Sequence, residues 1–291
     1  MRVAITGGTG LVGRFLVQDA LAAGDRVTLL SRTTPDAFAG PAAHLPYGLG
    51  ETPDLKGHDV LIHCAFAHVP GRYRGGEGDD PAGFTRANLD GSIALFQAAR
   101  DAAVPRVIFL SSRAVYGAYA PGTTLTEDLP PKPDTLYGQV KWQAEQWLAD
   151  AAAHDFTPIS LRATGVYGPA GPGQAHKWTG LFADYLSGQP IAPRRGTELH
   201  GDDLARAVRI ARDAPTGAYN LSDITLDRHD LLALVARETG CTHPLPARSD
   251  APVSAMDCTR MHALGWRPGG MARLRSSLPA LMTGPGAVPA P

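Results

Sequence analysis

A tyrosine and a lysine four residues apart are the side chains of this sequence best suited to chemistry. Tyr137 and Lys141 stand in the segment YGQVK, near the start of a stretch with helical character. On a helix, this spacing places both side chains on one face. A neighbouring ammonium stabilises phenolate and lowers the tyrosine pKa, which suits proton transfer with an alcohol or a carbonyl. Upstream, Ser112 ends a strand-like run and can donate a hydrogen bond to the same substrate oxygen.

A glycine-rich turn near the beginning of the chain predicts a second chemical site. Gly7, Gly10 and Gly13 follow a short apolar run and open a segment with helical periodicity. Glycines at this place let the backbone approach a pyrophosphate, and the helix N-terminus offers free N–H groups. The strand–turn–helix context favours a dinucleotide site over a plain turn. The expected contacts are Gly7, Thr9, Gly10, Leu11, Val12 and Gly13.

The end of the second predicted strand selects between NAD and NADP. An acidic residue there would bind the adenosine ribose and repel a 2′-phosphate. The sequence has Ser31, Arg32 and Thr33 instead, and an arginine with neighbouring hydroxyls can bind a phosphate. NADP(H) is therefore the predicted cofactor, with NAD as the alternative. The competing interpretation is that Arg32 is a solvated loop residue.

These motifs need elements that bring them to one edge of a sheet. Apolar strand-like runs at 2–6, 27–30, 59–64, 106–110 and 158–161 alternate with helical patterns at 11–23, 84–103 and 135–154. Such alternation predicts βαβ units around a mainly parallel sheet that is covered on both faces. After a breaker cluster at 169–173, shorter helices are predicted at 178–186, 203–212 and 227–239.

The predicted fold class is α/β, with a Rossmann-type, doubly wound parallel sheet. Residues 1–168 are expected to form the NAD(P)-binding domain and residues 169–283 a smaller substrate-binding lobe. The prediction includes the option that one strand or helix from residues 169–283 joins the sheet of the first domain. Residues 284–291, GPGAVPAP, are predicted to be a flexible tail.

Together these motifs resemble the extended short-chain dehydrogenases/reductases, of the NAD-dependent epimerase/dehydratase type. The matching segments are collinear and cover nearly the whole chain. They are TGGTGLVG at 6–13, VLIHCAFA at 60–67, RANLDGS around Asn88, IFLSSRAVYG at 108–117, YGQVK at 137–141, LRATGVYGP at 161–169, HGDDLARAV at 200–208 and LGWRP at 264–268.

The resemblance implies that Ser112, Tyr137 and Lys141 form the catalytic set. Tyr137 would move the proton, while Lys141 would hold the nicotinamide ribose and lower the tyrosine pKa. Hydride would pass between a substrate carbon and the nicotinamide, with the protein supplying position and electrostatics. The resemblance also suggests homodimers through the helices that contain Asn88 and Lys141. Further expected cofactor contacts are Ala65, Phe66, Ala67, Asn88 and Ser111, besides Tyr137 and Lys141.

Several positions depart from the family pattern and bear on the substrate. Arg113 and Ala114 stand where dehydratases carry an Asp-Glu pair, so 4,6-dehydration is not expected. Gly165 replaces the asparagine, and Gly196 the phosphate-binding arginine, that are usual in nucleotide-sugar enzymes. The third strand also lacks its usual terminal aspartate, so the adenine contact has to come from elsewhere or the loop has to be rearranged.

Substrate contacts are predicted at Arg113, His68, Arg72 and Gly165. Arg113 follows Ser112 directly, and a cation there suits a carboxylate or phosphate on a small-molecule substrate. Its alternative is pairing with a local acid or exposure to solvent. For His68 and Arg72, the alternative is a solvated loop.

Composition argues against several classes of function. Lys and Arg total 27 and Asp and Glu total 28, a net charge of −1, which disfavours binding to nucleic acid or to an anionic membrane. The three cysteines are widely spaced and the histidines lack metal-ligand spacing, so neither a disulfide framework nor a metal site is predicted. With no long apolar stretch and no signal peptide expected, we predict a cytoplasmic protein. Four of the 27 basic residues are lysines, and Lys141 is one of them.

Three hypotheses about function follow. The leading one is an NADP(H)-dependent oxidoreductase that interconverts a small carbonyl compound and a secondary alcohol. The alternative enzyme is a nucleotide-sugar (UDP-sugar) 4-epimerase with tightly bound, recycled NAD(P), and net cofactor turnover separates the two. A regulatory protein that binds the cofactor without catalysis is disfavoured, because both Tyr137 and Lys141 are present.

Overall fold

Seven parallel strands form the main sheet of the computed structural model, which describes residues 1–34, 41–69, 75–117 and 119–283. In chain order these strands are β1 (Arg2–Thr6), β2 (Arg26–Ser31), β3 (Ala43–Pro46), β4 (Val60–His63), β5 (Arg106–Ser112), β6 (Thr157–Ala163) and β9 (Gly217–Leu221). A second sheet contains β7 (Gly165–Tyr167), β8 (Arg195–His200) and β10 (Ile224–Asp227). The mainly parallel sheet and Rossmann-type architecture predicted from the sequence are confirmed.

Helices connect these strands and cover the sheets. They are α1 (Gly13–Ala22), α2 (Pro81–Thr85), α3 (Gly91–Asp101), α4 (Leu136–Ala151), α5 (Thr179–Leu186), α6 (Gly201–Ala211), α7 (Arg228–Thr239), α8 (Thr259–Ala263) and α9 (Gly270–Thr283). Some of their ends show ordinary capping chemistry. The Thr135 hydroxyl accepts a hydrogen bond from Gly138 N before α4, and Gly240 ends α7 with a φ of +73°.

The strand order is β3-β2-β1-β4-β5-β6-β9. From β1, the chain adds β2 and β3 on one side and then continues from β4 on the other, so the direction of winding reverses between β1 and β4. In such sheets, ligands bind in the crevice at the carboxyl ends of the strands beside this switch point. Gly7 follows β1, Cys64 follows β4 and Ser112 ends β5, so this edge holds the predicted chemical residues.

Two apolar clusters cover the opposite faces of the main sheet. Successive strand residues point to opposite faces, and Ile5 packs with Leu16 and Leu204 while Ala4 packs with Leu95. Helices α1 and α6 therefore cover one face, and α3 and α4 contribute to the cover of the other. Burial on both faces explains why these strands read as continuous apolar runs in the sequence.

The smaller lobe has its own apolar cluster between the second sheet and α5, α7 and α9. Its members include Tyr167, Phe182, Leu232 and Leu278. Strand β9 leaves this lobe and pairs with β6 in the main sheet, the kind of return that the predicted division allowed. The boundary between residues 168 and 169 stays a prediction, and the predicted tail at 284–291 lies outside the described residues.

Some elements differ from the sequence-based prediction. Instead of one helix over 84–103, α2 and α3 are joined by a π-helical turn, Arg86–Asp90. Strands β3, β7, β8, β9 and β10 were not predicted, because each is either very short or interrupted by polar, proline or glycine residues. Within the described ranges, no helix is both long and apolar enough to span a membrane.

Candidate active site

The glycine turn between β1 and α1 leaves no room for side chains at two positions. Gly7 has a φ of +68°, and a Cβ there would lie 2.5 Å from the backbone N of Ala65. A Cβ on Gly13 would overlap the Gly7 carbonyl oxygen and lie 2.8 Å from Cys64 Sγ. The Gly10 N–H donates to the Gly7 carbonyl at 3.0 Å and closes the turn. The helix can therefore approach the ends of β1 and β4 only with glycine at these places, as a dinucleotide turn requires.

The start of α1 offers hydrogen-bond donors to an anion. Among the described residues, the backbone N–H groups of Leu11 and Val12 have no acceptor, and Thr9 and Gly10 are exposed. Free N–H groups and the partial positive charge of a helix N-terminus are the features that bind phosphate. This part of the chain therefore fits the pyrophosphate of a dinucleotide.

The end of β2 presents a hydroxyl and a guanidinium, and residues 31–34 contain no carboxylate. Arg32 and Thr33 are exposed, and the Ser31 hydroxyl donates to the Thr33 carbonyl at 2.8 Å. The Ser31 carbonyl is bonded by the ring of His44 at 3.0 Å. The arrangement leaves the Arg32 side chain accessible to a phosphate.

Asn88 fastens the loop that follows β4. Its Oδ1 accepts from Ala67 N at 2.7 Å, and its Nδ2 donates to the carbonyl oxygens of Ala67 at 2.8 Å and Phe84 at 2.9 Å. Asn88 lies in the π-helical turn, and such turns are frequent at functional sites. The loop residues Ala65 and Phe66 are thereby held next to the glycine turn, where the sequence analysis places a cofactor.

A series of buried, hydrogen-bonded side chains lies beneath this loop and was not predicted from the sequence. The His63 ring bonds Thr6 Oγ1 at 2.7 Å and Ser92 Oγ at 2.9 Å, and the Ser92 hydroxyl donates to the Asn88 carbonyl. Burial lowers the pKa of His63 to about 3, so the ring is neutral at pH 7. The available signal was a histidine at the end of an apolar strand, with a threonine at the matching place in β1.

Lys141 is buried at the carboxyl end of β5. Its Nζ donates to the Leu110 carbonyl at 2.7 Å and lies 4.4 Å and 4.6 Å from the ring centroids of Phe66 and Phe109. Burial lowers the pKa of Lys141 to about 7. An ammonium between aromatic faces in a largely dry site acts strongly on neighbouring groups.

Tyr137 lies on the same face of α4 as Lys141. The Lys141 ammonium is 6.0 Å from the centroid of the Tyr137 ring, and the Phe66 ring meets the tyrosine edge-on at 5.0 Å. Phe66 therefore contacts both members of the pair, and the tyrosine is half-buried. The i, i+4 spacing thus gives the proximity that the proposed acid–base chemistry needs.

The two serines at the end of β5 have different surroundings. The Ser112 hydroxyl accepts from Ala114 N at 3.1 Å and caps a short 3-10 turn, Arg113–Val115. The Ser111 hydroxyl, on the opposite face of the strand, donates to Glu145 in the core. Ser112 is half-buried and Ser111 buried, so the two adjacent hydroxyls point to separate sites.

Glu145 is the centre of a second buried polar network. Its carboxylate accepts from Arg162 Nη2 at 2.7 Å and Nε at 3.0 Å, and both side chains are 4% exposed. Arg162 Nη1 donates to the Tyr116 hydroxyl at 3.0 Å, which donates to Asn220 Oδ1 at 2.7 Å. This network links α4, β6 and β9 behind the predicted catalytic strand.

Three of the four predicted substrate residues, Arg113, His68 and Gly165, lie in the described part of the structure. Arg113 Nη2 donates to the Ser254 carbonyl at 3.0 Å. Burial lowers the pKa of Arg113, although the nearby Asp134 carboxylate acts to raise it. His68 is exposed, with its Nδ1 at 3.4 Å from the Phe66 carbonyl oxygen. Arg72 lies outside the described residues. Substrate roles for Arg113, His68 and Arg72 stay predictions.

Gly165, the fourth predicted substrate residue, adjoins an ion pair that the sequence did not reveal. A Cβ on Gly165 would overlap Lys177 Nζ and lie 3.0 Å from Glu198 Oε2. Lys177 and Glu198 are paired with each other, and their side chains are 13% and 9% exposed. The missing side chain at position 165 therefore leaves space that an ammonium fills.

Comparisons with known proteins agree with the fold. The model of the NAD dependent epimerase/dehydratase family matches residues 3–222. UDP-glucose 4-epimerase of Streptomyces lividans is 26% identical over 305 residues, which cover 91% of this chain and 90% of that protein. The 4-hydroxy-2-methyl-3-oxo-4-farnesyl-3,4-dihydroquinoline-1-oxide ketoreductase of Stigmatella aurantiaca is 32% identical over 183 residues, 58% of this chain and 51% of that protein. The structure of UDP-glucose 4-epimerase of Thermus thermophilus in complex with NAD has a TM-score of 0.79 at 25% identity and covers 97% of this chain. This chain covers 99% of that one.

Proposed function

Because this chain belongs to the NAD dependent epimerase/dehydratase family, we propose that it inverts a secondary-alcohol carbon, C4, of a nucleotide-linked sugar. The observation that carries the chemistry is the placement of Tyr137 and the buried Lys141 on one face of α4, around Phe66. Hydride transfer at an alcohol carbon needs a proton carrier of this kind next to the reacting oxygen.

Each residue of the proposed set has a separate task. Tyr137 takes the proton of the substrate hydroxyl and later returns it, while Ser112 holds the same oxygen through a hydrogen bond. The Lys141 ammonium favours the ionised form of the phenol. Bound NAD(P) supplies reversible hydride transfer. The glycine turn at 7–13 and the loop at 65–67 are the parts of the chain that would hold it.

Epimerisation is preferred over simple reduction because of the extent of the similarity. The likeness to UDP-glucose 4-epimerase runs through both lobes, whereas that to the ketoreductase covers 58% of the chain. This favours the alternative hypothesis of the sequence analysis over its leading hypothesis of a net oxidoreductase. Dehydration is disfavoured because Arg113 and Ala114 provide no acidic pair after Ser112.

The deciding experiment incubates the purified protein with UDP-glucose, with and without added NAD or NADP, and separates the UDP-sugars chromatographically. Formation of UDP-galactose without a lasting change in nicotinamide absorbance is expected. Stoichiometric reduction of added cofactor instead would identify a net oxidoreductase. If neither occurs with UDP-sugars or with a panel of small ketones and alcohols, a cofactor-binding protein without catalysis is supported.

Tyr137→Phe tests the assigned mechanism. Because general acid–base catalysis contributes about 10²- to 10⁴-fold, kcat should fall by a factor in this range while cofactor affinity changes little. Tyr219→Phe is a matched control, since the Tyr219 hydroxyl bonds the Pro215 carbonyl at 2.9 Å, away from α4. Full turnover by Tyr137→Phe would reject the mechanism.

For the cofactor, we propose NADP(H) on the absence of a carboxylate at residues 31–34, although the family and the similar epimerase structure are associated with NAD. Calorimetry with both dinucleotides tests this. Arg32→Ala should weaken NADP binding about tenfold or more and leave NAD binding nearly unchanged, because a charged hydrogen bond contributes about 1.5–3 kcal/mol. Equal effects on both cofactors would reject the role of Arg32.

Pairing of two copies through the helices containing Asn88 and Lys141 stays a prediction.

A further inference from the structure

A buried lysine–glutamate pair lies beside the proposed active site and has no role in the chemistry described above. Lys177 precedes α5 and Glu198 lies in β8, so the contact joins two segments of the smaller lobe. Both side chains are largely buried, and burial moves the pKa of each toward the neutral form, lowering that of Lys177 and raising that of Glu198. A buried ion pair is rarely the most stable filling of a core, so its chemistry calls for an explanation.

The pair lies next to the strand that ends in Ser112. Within the paired strands β5 and β6, Ser112 is opposite Ala163. Two residues later Gly165 begins β7, where it is opposite Glu198 in β8. The pair therefore lies by the carboxyl ends of the sheet strands, which is the edge where ligands bind in this architecture.

Gly165 is what admits the ammonium to this position. A Cβ at residue 165 would overlap Lys177 Nζ, so any larger residue would displace the lysine. The cation occupies the place that a side chain of residue 165 would otherwise fill. The absence of a side chain at position 165 thus decides whether the Lys177 ammonium can lie here.

The charges around the pair do not cancel. Arg194 is close enough to oppose protonation of Lys177 and to favour ionisation of Glu198, so the charges of two cations act on one carboxylate. An ammonium has three N–H donors, and Glu198 is the acceptor that the described residues provide for Lys177 Nζ. The site therefore has spare positive charge and spare donors for an oxyanion.

We propose that Lys177, held in place by Glu198, binds an anionic group of the substrate, either a carboxylate on the sugar or the diphosphate of the nucleotide. This inference rests on the proposed function. Lys177 Nζ donates to Glu198 and, with three N–H groups, retains donors for such an anion. The element Gly165–Lys177–Glu198 would then select for negatively charged ligands.

Calorimetric titration of the protein saturated with NADP, the proposed cofactor, tests the proposal with UDP-glucuronate, UDP-glucose and UDP as ligands. Lys177→Met should raise Kd by about 10- to 100-fold for ligands whose anion meets the lysine, the range of a charge-assisted hydrogen bond. A loss confined to UDP-glucuronate identifies the sugar carboxylate, and an equal loss for all three identifies the diphosphate. Unchanged Kd values for all three overturn the proposal.

A second variant separates binding from a structural role. Glu198→Gln keeps the shape and a hydrogen-bond acceptor for Lys177 but removes the carboxylate that competes with a ligand for the lysine. Because that carboxylate also favours protonation of Lys177, the titration is made at pH 6, where the ammonium is favoured, and anionic ligands should bind equally well or more tightly. If the ion pair is only structural, Lys177→Met and Glu198→Gln should lose similar amounts of ligand affinity. That result would also overturn the proposal. Lys132→Met is a matched control, because Lys132 is exposed and its Nζ lies over the Tyr119 ring at 4.7 Å; its Kd values should equal those of the wild type.

The inference and the proposed function can fail separately. Inorganic pyrophosphate and free glucuronate are titrated into the same variants. If either binds in a Lys177-dependent manner while no UDP-sugar is epimerised, the anion site stands and the proposed function fails. If neither these anions nor the UDP-ligands bind the wild type, both are rejected.

Discussion

The Glu145–Arg162 pair allows a sharp test of how this fold is held together behind strand β5. We predict that Glu145→Gln lowers the free energy of unfolding by about 3–5 kcal/mol, the usual effect of removing one partner from a buried ion pair. Both side chains are 4% exposed, and the carboxylate accepts from Arg162 Nη2 at 2.7 Å and Nε at 3.0 Å. The neutral amide leaves the guanidinium charge uncompensated in the core. With a total stability of about 5–15 kcal/mol typical of proteins, the loss is large.

Urea unfolding followed by tryptophan fluorescence measures this loss. A second variant, Glu145→Gln with Arg162→Met, also removes the stranded charge and should recover most of the stability, because an apolar replacement of a buried pair is often neutral. Arg2→Met is the exposed control. Arg2 and Asp59 are 3.0 Å apart with side chains 55% and 35% exposed, and such pairs contribute about 1 kcal/mol or less.

Two results would refute the reasoning. A loss below about 1 kcal/mol for Glu145→Gln would mean that the guanidinium remains solvated or finds another partner. Additive losses in the double variant would mean that the two side chains stabilise the protein independently. Either outcome would mean that the ion pair does not hold α4 against β6.

Three further predictions concern the cofactor site. Burial lowers the pKa of Lys141 to about 7, so between pH 7 and 10 the unfolded chain binds more protons, and this contribution to the free energy of unfolding rises with pH by up to about 1.4 kcal/mol per unit. Lys141→Met should abolish that rise in urea titrations at pH 7 and 9, and an identical slope would contradict it. Gly7→Ala should destabilise the fold and abolish cofactor binding, whereas Gly24→Ala, with φ +78° and open space around it, should lose about 1–2 kcal/mol through backbone strain alone; equal losses in urea unfolding would count against the steric argument. Asn88→Ala should accelerate amide exchange at Ala67, because its acceptor at 2.7 Å is lost, and unchanged protection by hydrogen-exchange NMR would show that the loop is held otherwise.

Local patterns in the sequence were sufficient to predict the chemical motifs and the class of fold. The glycine spacing at 7–13 and the spacing of Tyr137 and Lys141 are properties of a single turn and a single helix face. Apolar runs such as β1 and β4 predict a covered parallel sheet because both of their faces are buried. For these features, the information lies within a few neighbouring residues.

Contacts between distant segments had no comparable signal. The bond from Arg113 to Ser254 joins residues 141 apart in sequence, and the Lys177–Glu198 pair depends on how β7, β8 and the segment before α5 meet. Neither leaves a periodic pattern, since charge pairing does not require fixed spacing.

The sequence by itself thus determined the dinucleotide turn, the Tyr–Lys face of α4 and the Rossmann-type sheet, because each follows from backbone periodicity and local sterics. The tertiary structure decided which polar groups became buried together. It sent the Ser111 hydroxyl to Glu145, put neutral His63 beneath the loop held by Asn88, and placed the Lys177 ammonium beside Gly165. These outcomes depend on desolvation and on which side chains the folded chain brings into reach, and only the completed packing fixes both.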